Sequence, residues 1–408
     1  MSIGKLDRSF LNFALSLYVP SFFIQLGWGL VTPIMPLYAR SFGIPYALVA
    51  MVTTANAIGR LCSDIPLGTI ADRKGRRPLT IIGPLLVVVS AIFSGLAQSF
   101  YELLAYRVLT GIGMSMWMIA RQAMIADSVD PSIRGRVIST FQGVNMLGSA
   151  AGPAVGGIIA ELWGIRSPFF FYAGSTFVSF LACLFFIKET MPKHQEGRER
   201  KLAQKVNVRT ILGLLTFPIM MAAFTNFTNH IRFAARGVLI PIYGGDVLCL
   251  TTGEIGLVLS ASTFANLLMV IPGGYIVDKW GRKAGLVPAF VLTGAIFALF
   301  PFTKDFTSIT IVSALIGVAS GIGGGATMAI AADLAPEDFR GFFMGFWTTI
   351  GDIGSAVGPV IIGLVADMYQ IAMSFYVTAF LMFLTAATTQ LFVKETLKKE
   401  PIKEKGAK

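Results

Sequence analysis

Apolar residues run along this chain in long stretches, and most of its charged residues gather in short knots between them. Eighteen or more apolar residues in a helix span a ~30 Å hydrocarbon core, because each residue advances ~1.5 Å. The pattern predicts twelve spans, at 10–38, 46–71, 79–98, 101–127, 137–163, 166–187, 211–243, 253–277, 284–303, 307–333, 343–369 and 371–393. Almost nothing is left over for a soluble domain. The first run is too long for a removable signal peptide and lacks a small-residue cleavage pattern, so it is expected to stay in the mature chain.

Composition agrees with a membrane protein. Of 408 residues, 54% are hydrophobic and 13% charged, with a mean hydropathy of +0.71; a soluble domain carries about 25% charge. Lysine and arginine, 33 in all, are unevenly placed. Most fall in the terminal segments and alternate loops, three (Arg40, Arg166, Lys304) in the opposite loops, and Arg60, Arg107, Arg121, Arg232 and Arg236 inside spans. Positive residues stay on the cytoplasmic side, so both termini and the loops at 72–78, 128–136, 188–209 and 278–283 are expected there, in a bacterial or archaeal plasma membrane. The net charge of +11 is then a topology signal balanced by anionic lipid headgroups, and calls for no nucleic acid.

Other chemistries find little footing. Cys62, Cys183 and Cys249 are scattered and odd in number, so no disulfide framework is implied. The two histidines, His194 and His230, belong to no ligand cluster, so neither a metal nor another cofactor is expected. There is no GxxxxGK for ATP and no HExxH or GxSxG for hydrolysis, so no catalytic residues are assigned.

The chain also repeats itself at a shift of 206. ADRKGRR at 71–77 returns as VDKWGRK at 277–283, Asp127 as Asp333, Arg134-Gly135 as Arg340-Gly341, GSAAGP at 148–153 as GSAVGP at 354–359, and KET at 188–190 as KET at 394–396. With Gly68-x3-Asp72-Arg73-Lys74-Gly75-Arg76-Arg77 between spans 2 and 3, and a weaker copy holding Asp278 and Arg282 between spans 8 and 9, the chain resembles the major facilitator superfamily over essentially its whole length. The resemblance implies an all-α polytopic membrane protein of two pseudo-symmetric six-helix bundles, 1–187 and 210–393, with a cytoplasmic linker at 188–209 and a basic tail at 394–408. It implies a monomeric secondary transporter whose one central cavity opens to each side alternately.

Asp72 ends span 2 at the membrane interface, and Gly68 and Gly75 permit close backbone approach there. In the family this loop latches the halves together on the cytoplasmic side while the cavity faces out, its acid near the N-terminus of span 11, where the helix dipole favours negative charge. The matching positions are Gly68, Asp72, Arg73, Gly75, Arg76 and Arg77, with Asp127 as the expected partner of an arginine; positive-inside anchoring alone is the alternative. In span 5, Gly148, Gly152 and Gly156 recur every four residues beside Pro153 and Gly157, making a smooth face and a local kink. This resembles the family's antiporter signature, especially of drug efflux members, although Ser139 stands where its first glycine would be.

Arg107-x2-Thr110-Gly111-Ile112-Gly113 resembles the family's span 4 motif, whose arginine is linked to proton coupling. Arg121 falls within roughly 40° of the same helix face, and with Met114 and Met118 it is expected to form a cavity wall, soft in the middle. Asp64 and Asp352 lie deep within spans, where an acid is costly and points to function. Arg60 stands one turn from Asp64, so a structural ion pair and a proton-carrying site both remain open. Gln25 replaces the span 1 acid found in some cation-drug exporters of the family, and it is placed with His230 at the substrate cavity. The expectation is a proton-coupled exporter of a small amphipathic organic compound. A proton-coupled uptake symporter for a sugar or organic anion is the alternative, and a non-transporting membrane sensor is the alternative of another class.

Overall fold

The computed structural model describes residues 14–129, 131–190, 216–336 and 340–397, which form helices joined by short turns. The linker beyond Thr190, the tail beyond Leu397 and the first residues of predicted spans 1 and 7 lie outside the described residues. Among the described residues twelve long helical segments occupy the places of the predicted spans: α1 (Leu15–Arg40), α2 (Tyr46–Lys74), α3 (Arg76–Leu96), α4 (Phe100–Ser128), α5 (Pro131–Trp163) and α6 (Ser167–Phe186) in the first half. The second half holds α7 (Phe217–Ile242), α8 (Thr252–Trp280), α9 (Arg282–Leu299), α10 (Phe306–Leu334), α11 (Arg340–Met368) and α12 (Ile371–Phe392).

Ten of these are long and apolar enough to cross a membrane. The other two, α2 and α7, are diluted by polar residues: Arg60, Ser63 and Asp64 in one, and Asn226, Asn229, His230, Arg232 and Arg236 in the other. Their polarity has a purpose, since both helices border the space between the halves.

Small residues set the packing within each half. A Cβ on Gly148, Gly152 or Gly156 of α5 would strike the α1 backbone at Phe22, Gly29 or Leu30. By the 206-residue shift, Gly354 and Gly358 of α11 meet Phe227 and Ile231 of α7 in the same way. The repeated sequence is thus a repeated contact, in which missing side chains let two helix axes approach. Gly156→Ala should lower the unfolding temperature in detergent, overpacking there costing ~1–3 kcal/mol. Gly174→Ala, whose Cβ would meet nothing within 4 Å, should leave it unchanged.

The halves join through α2 against α11 and α5 against α8, most firmly at the end bearing the loops at 41–45 and 248–251. There each half caps a helix of the other. Asp367 of α11 accepts the backbone N–H groups of Tyr46 and Ala47 at the start of α2, both at 2.8 Å. Glu161 of α5 accepts from Gly253 N and Thr251 Oγ1 at the start of α8, both at 3.1 Å. The first turn of a helix has unsatisfied N–H groups and a positive dipole end, so a carboxylate suits it. Arg40 pairs across the halves with Asp246 at 3.2 Å, and the Tyr46 hydroxyl donates to the same carboxylate at 2.8 Å. This is the closed end.

At the opposite end the polar contacts among the described residues fall within each half. Arg76 reaches Asp72 and Asp127, both at 3.2 Å; Arg282 reaches Asp278 at 2.7 Å and Asp333 at 3.2 Å. Glu189 caps the start of α3 by accepting from Arg76 N and Arg77 N at 3.0 and 3.1 Å. Glu395 does the same for Arg282 N and Lys283 N of α9, at 2.9 and 3.0 Å. Gly75 and Gly281 precede these helices with φ of 95° and 115°, which disfavours a side chain, and a Cβ would also collide with the capping carboxylate. Burial opposes ionisation of Glu395, but the N–H groups of Leu397, Arg282, Lys283 and Thr396 outweigh it and hold the carboxyl below the ordinary glutamate range.

Candidate functional site

A cavity of about 350 Å³ lies between the halves at mid-depth. Trp28 of α1, Asn56 and Arg60 of α2, and Arg107 of α4 face it from the first half; Phe233 and Arg236 of α7 face it from the second. Closure above it comes from the reciprocal caps. Among the described residues the hydrogen bonds and ion pairs that join the halves lie between the closed end and the level of Arg60. Beyond that level a Cβ on Gly68 of α2 or Gly345 of α11 would meet nothing within 4 Å. The far end is therefore the open one.

Of the two readings left open for Arg60 and Asp64, the geometry does not form the ion pair. Although the two are one turn apart, α2 presents them to different neighbours. Arg60 Nη2 reaches across to Asp352 of α11, at 3.0 Å from Oδ1 and 3.3 Å from Oδ2. Asp64 instead accepts a hydrogen bond from Ser115 Oγ of α4. It is half-buried and forms no ion pair among the described residues.

Arg107 is 4% exposed and stacks over Trp28, 5.1 Å from the ring centroid. Arg236 donates to Ser262 Oγ at 3.2 Å. Neither forms an ion pair with a carboxylate among the described residues. Arg232, a turn from Arg236, points into the second half and donates to Asn229 Oδ1 at 2.8 Å and Ser320 Oγ at 3.1 Å.

Several residues expected on the cavity wall lie elsewhere. Arg121 lines a separate cavity of about 370 Å³ inside the first half, with Trp117 and Lys188. Its guanidinium lies 4.1 Å from the Phe141 ring centroid and 5.8 Å from that of Trp117; these ring faces attract a cation and draw it off the Arg107 stripe. Met114 and Met118 pack among Ile24, Trp117 and Cys183, filling the bundle interior. Gln25 sits at the α1–α5 contact, its Cβ against Gly148. His230 shares a hydrogen bond with Asn226 O at 3.0 Å and its ring covers Gly351 of α11, so it packs between helices.

The sequence reading did not single out Glu161 and Asp367, nor Arg40 and Asp246 as partners. A signal was available: both pairs are separated by the repeat shift of 206, so an acid recurs as an acid in one and a base is answered by an acid in the other. Trp28 was also missed, since a lone tryptophan in an apolar helix carries no periodic signal.

Two repeated helical bundles, a mid-depth cavity between them, one end shut and the other parted, define a multi-pass membrane transporter. The chain belongs to the Major Facilitator Superfamily, whose profile matches residues 17–231 and 222–408. It is similar to an uncharacterised MFS-type transporter of Methanocaldococcus jannaschii, 26% identical over 91% of this chain and 94% of that one. It is also similar to the multidrug resistance protein MdtG of Enterobacter lignolyticus, 26% identical over 93% and 91%. Among solved structures, a D-xylose-proton symporter superposes with a TM-score of 0.78 at 15% identity, covering 94% of this chain and 98% of the other; this likeness is one of fold.

Proposed function

We propose that the protein is a proton-coupled antiporter that exports a small amphipathic organic compound by alternating access. The observation that carries this reading is the inter-half cavity walled by Arg60 together with Asp64 one helical turn further along α2, a carboxylate within a span that has a hydroxyl partner and no ion pair among the described residues. Such an acid is costly to keep and suits reversible proton binding. Asp352, bound to Arg60, is the fallback carrier. Relatedness to MdtG, a multidrug resistance protein, and the α5 glycine pattern support export. In proteoliposomes with an imposed pH gradient, protons should move against the compound; movement of both in one direction would overturn export in favour of uptake.

On this reading the open end faces the cytoplasm and the halves are 1–187 and 210–393, tethered by 188–209. Gly68, Asp72, Arg73, Gly75, Arg76 and Arg77, with Asp127 holding Arg76, form a latch that engages the second half in the opposite state. Orientation has its own test. In a background otherwise lacking cysteine, single cysteines at 72–78, 128–136, 188–209 and 278–283 should escape an impermeant reagent added to intact cells. Cys249, exposed beyond the closed end, should react; the reverse pattern would invert the topology.

A further inference from the structure

The cavity between the halves holds more positive charge than the described residues neutralise. Three arginines face it: Arg60, Arg107 and Arg236. Asp352 balances the first. Arg107 and Arg236 come from opposite halves, and neither is ion-paired among the described residues.

The unsatisfied atoms on the residues lining this cavity are of one kind among the described residues. Arg107 Nε and Asn56 Nδ2 are buried without a hydrogen-bond partner, and both are donors. Both residues line the cavity. Trp28 and Phe233 flank them with apolar surface. An uncompensated guanidinium in a low-dielectric site is expensive, and a set of donors without acceptors is completed by an anion.

Taking the transport reading above as its basis, we propose that the compound carries an anionic group, a carboxylate, sulfonate or phosphate, on an apolar body. Arg107 and Arg236 clamp the anion from the two halves, Asn56 donates to it, and Trp28 and Phe233 hold the body. Binding the anion lowers the cavity's excess positive charge, which favours the occluded state in which both halves close on it.

The test uses one ring system with different charges. Binding of 2-naphthalenesulfonate, 2-naphthoate and 2-naphthyl phosphate to the purified full chain is measured by tryptophan fluorescence, against trimethyl(2-naphthyl)ammonium. At least one anion should bind saturably and the cation should not. Arg107→Gln and Arg236→Gln should each weaken anion binding by ~10-fold or more, the scale of one charge-assisted contact, with Arg→Lys variants intermediate. Without ligand, Arg107→Gln should unfold no earlier than wild type, because it removes an unpaired buried charge; an arginine with a purely structural duty would show a loss. The proposal falls if the cation binds as tightly as the anions, if no anion binds saturably, or if both glutamine variants bind the anion as wild type does. Should a variant fold poorly, the anion-to-cation preference of the wild type still decides. Anion carried in the same direction as protons would overturn export and leave the substrate class standing; the ammonium compound exchanged for protons would do the reverse.

Discussion

Asp64→Asn is expected to abolish transport driven by a pH gradient while leaving substrate binding and substrate-for-substrate exchange largely intact. The change keeps size and the capacity to accept from Ser115 Oγ, but it removes the ionisable group. Because Arg60 is engaged by Asp352 and Asp64 has no ion pair among the described residues, the variant should retain its thermal stability. The measurement is proton-driven accumulation beside counterflow in the same proteoliposomes. Uphill transport at wild-type rate would remove Asp64 from the coupling path and leave Asp352. Loss of both activities with a collapsed unfolding temperature would show that the Ser115 contact serves the fold.

The second large effect belongs to the Arg60–Asp352 pair. Its side chains are 27% and 6% exposed, so deleting either partner strands a charge at mid-depth, and Arg60→Ala or Asp352→Ala should cost ~3–5 kcal/mol. Removing both should cost far less than the sum, which a double-mutant cycle in detergent unfolding would register. Exchanging the charges, Arg60→Asp with Asp352→Arg, should recover much of the loss. Additive single effects would mean that the two groups do not depend on each other.

Much of the fold was legible because membranes impose length and the repeat imposes symmetry. Spans of about twenty apolar residues cross the bilayer and little else does, and the 206-residue shift separated the halves. The same shift carries the structural devices: Asp72 and Asp278, Arg76 and Arg282, Asp127 and Asp333, Glu189 and Glu395, Glu161 and Asp367. The charged cavity residues break it. Arg107 returns as Ser313, Asp64 as Val270 and Arg60 as Asn266, so no internal copy announces their partners. Local spacing placed Arg60 beside Asp64, but a side chain at a helix crossing answers to its tertiary neighbours, and α11 outbid α2's own turn. The same limit misplaced Arg121, Met114 and Met118. Helical phase gives relative direction on one helix without saying which face meets the cavity.

The reciprocal caps reach further than closure. Arg40 and Asp246 are 37% and 28% exposed, so the bonds that shut this end are partly bathed by the surrounding medium. Electrostatic reach in that medium shrinks from ~10 Å at 0.1 M salt to ~3 Å at 1 M. Concentrated electrolyte thus loosens the seal, and dilute electrolyte tightens it. Turnover limited by reopening of this seal should slow modestly in fresh water, an exposed ion pair contributing ~0–1 kcal/mol.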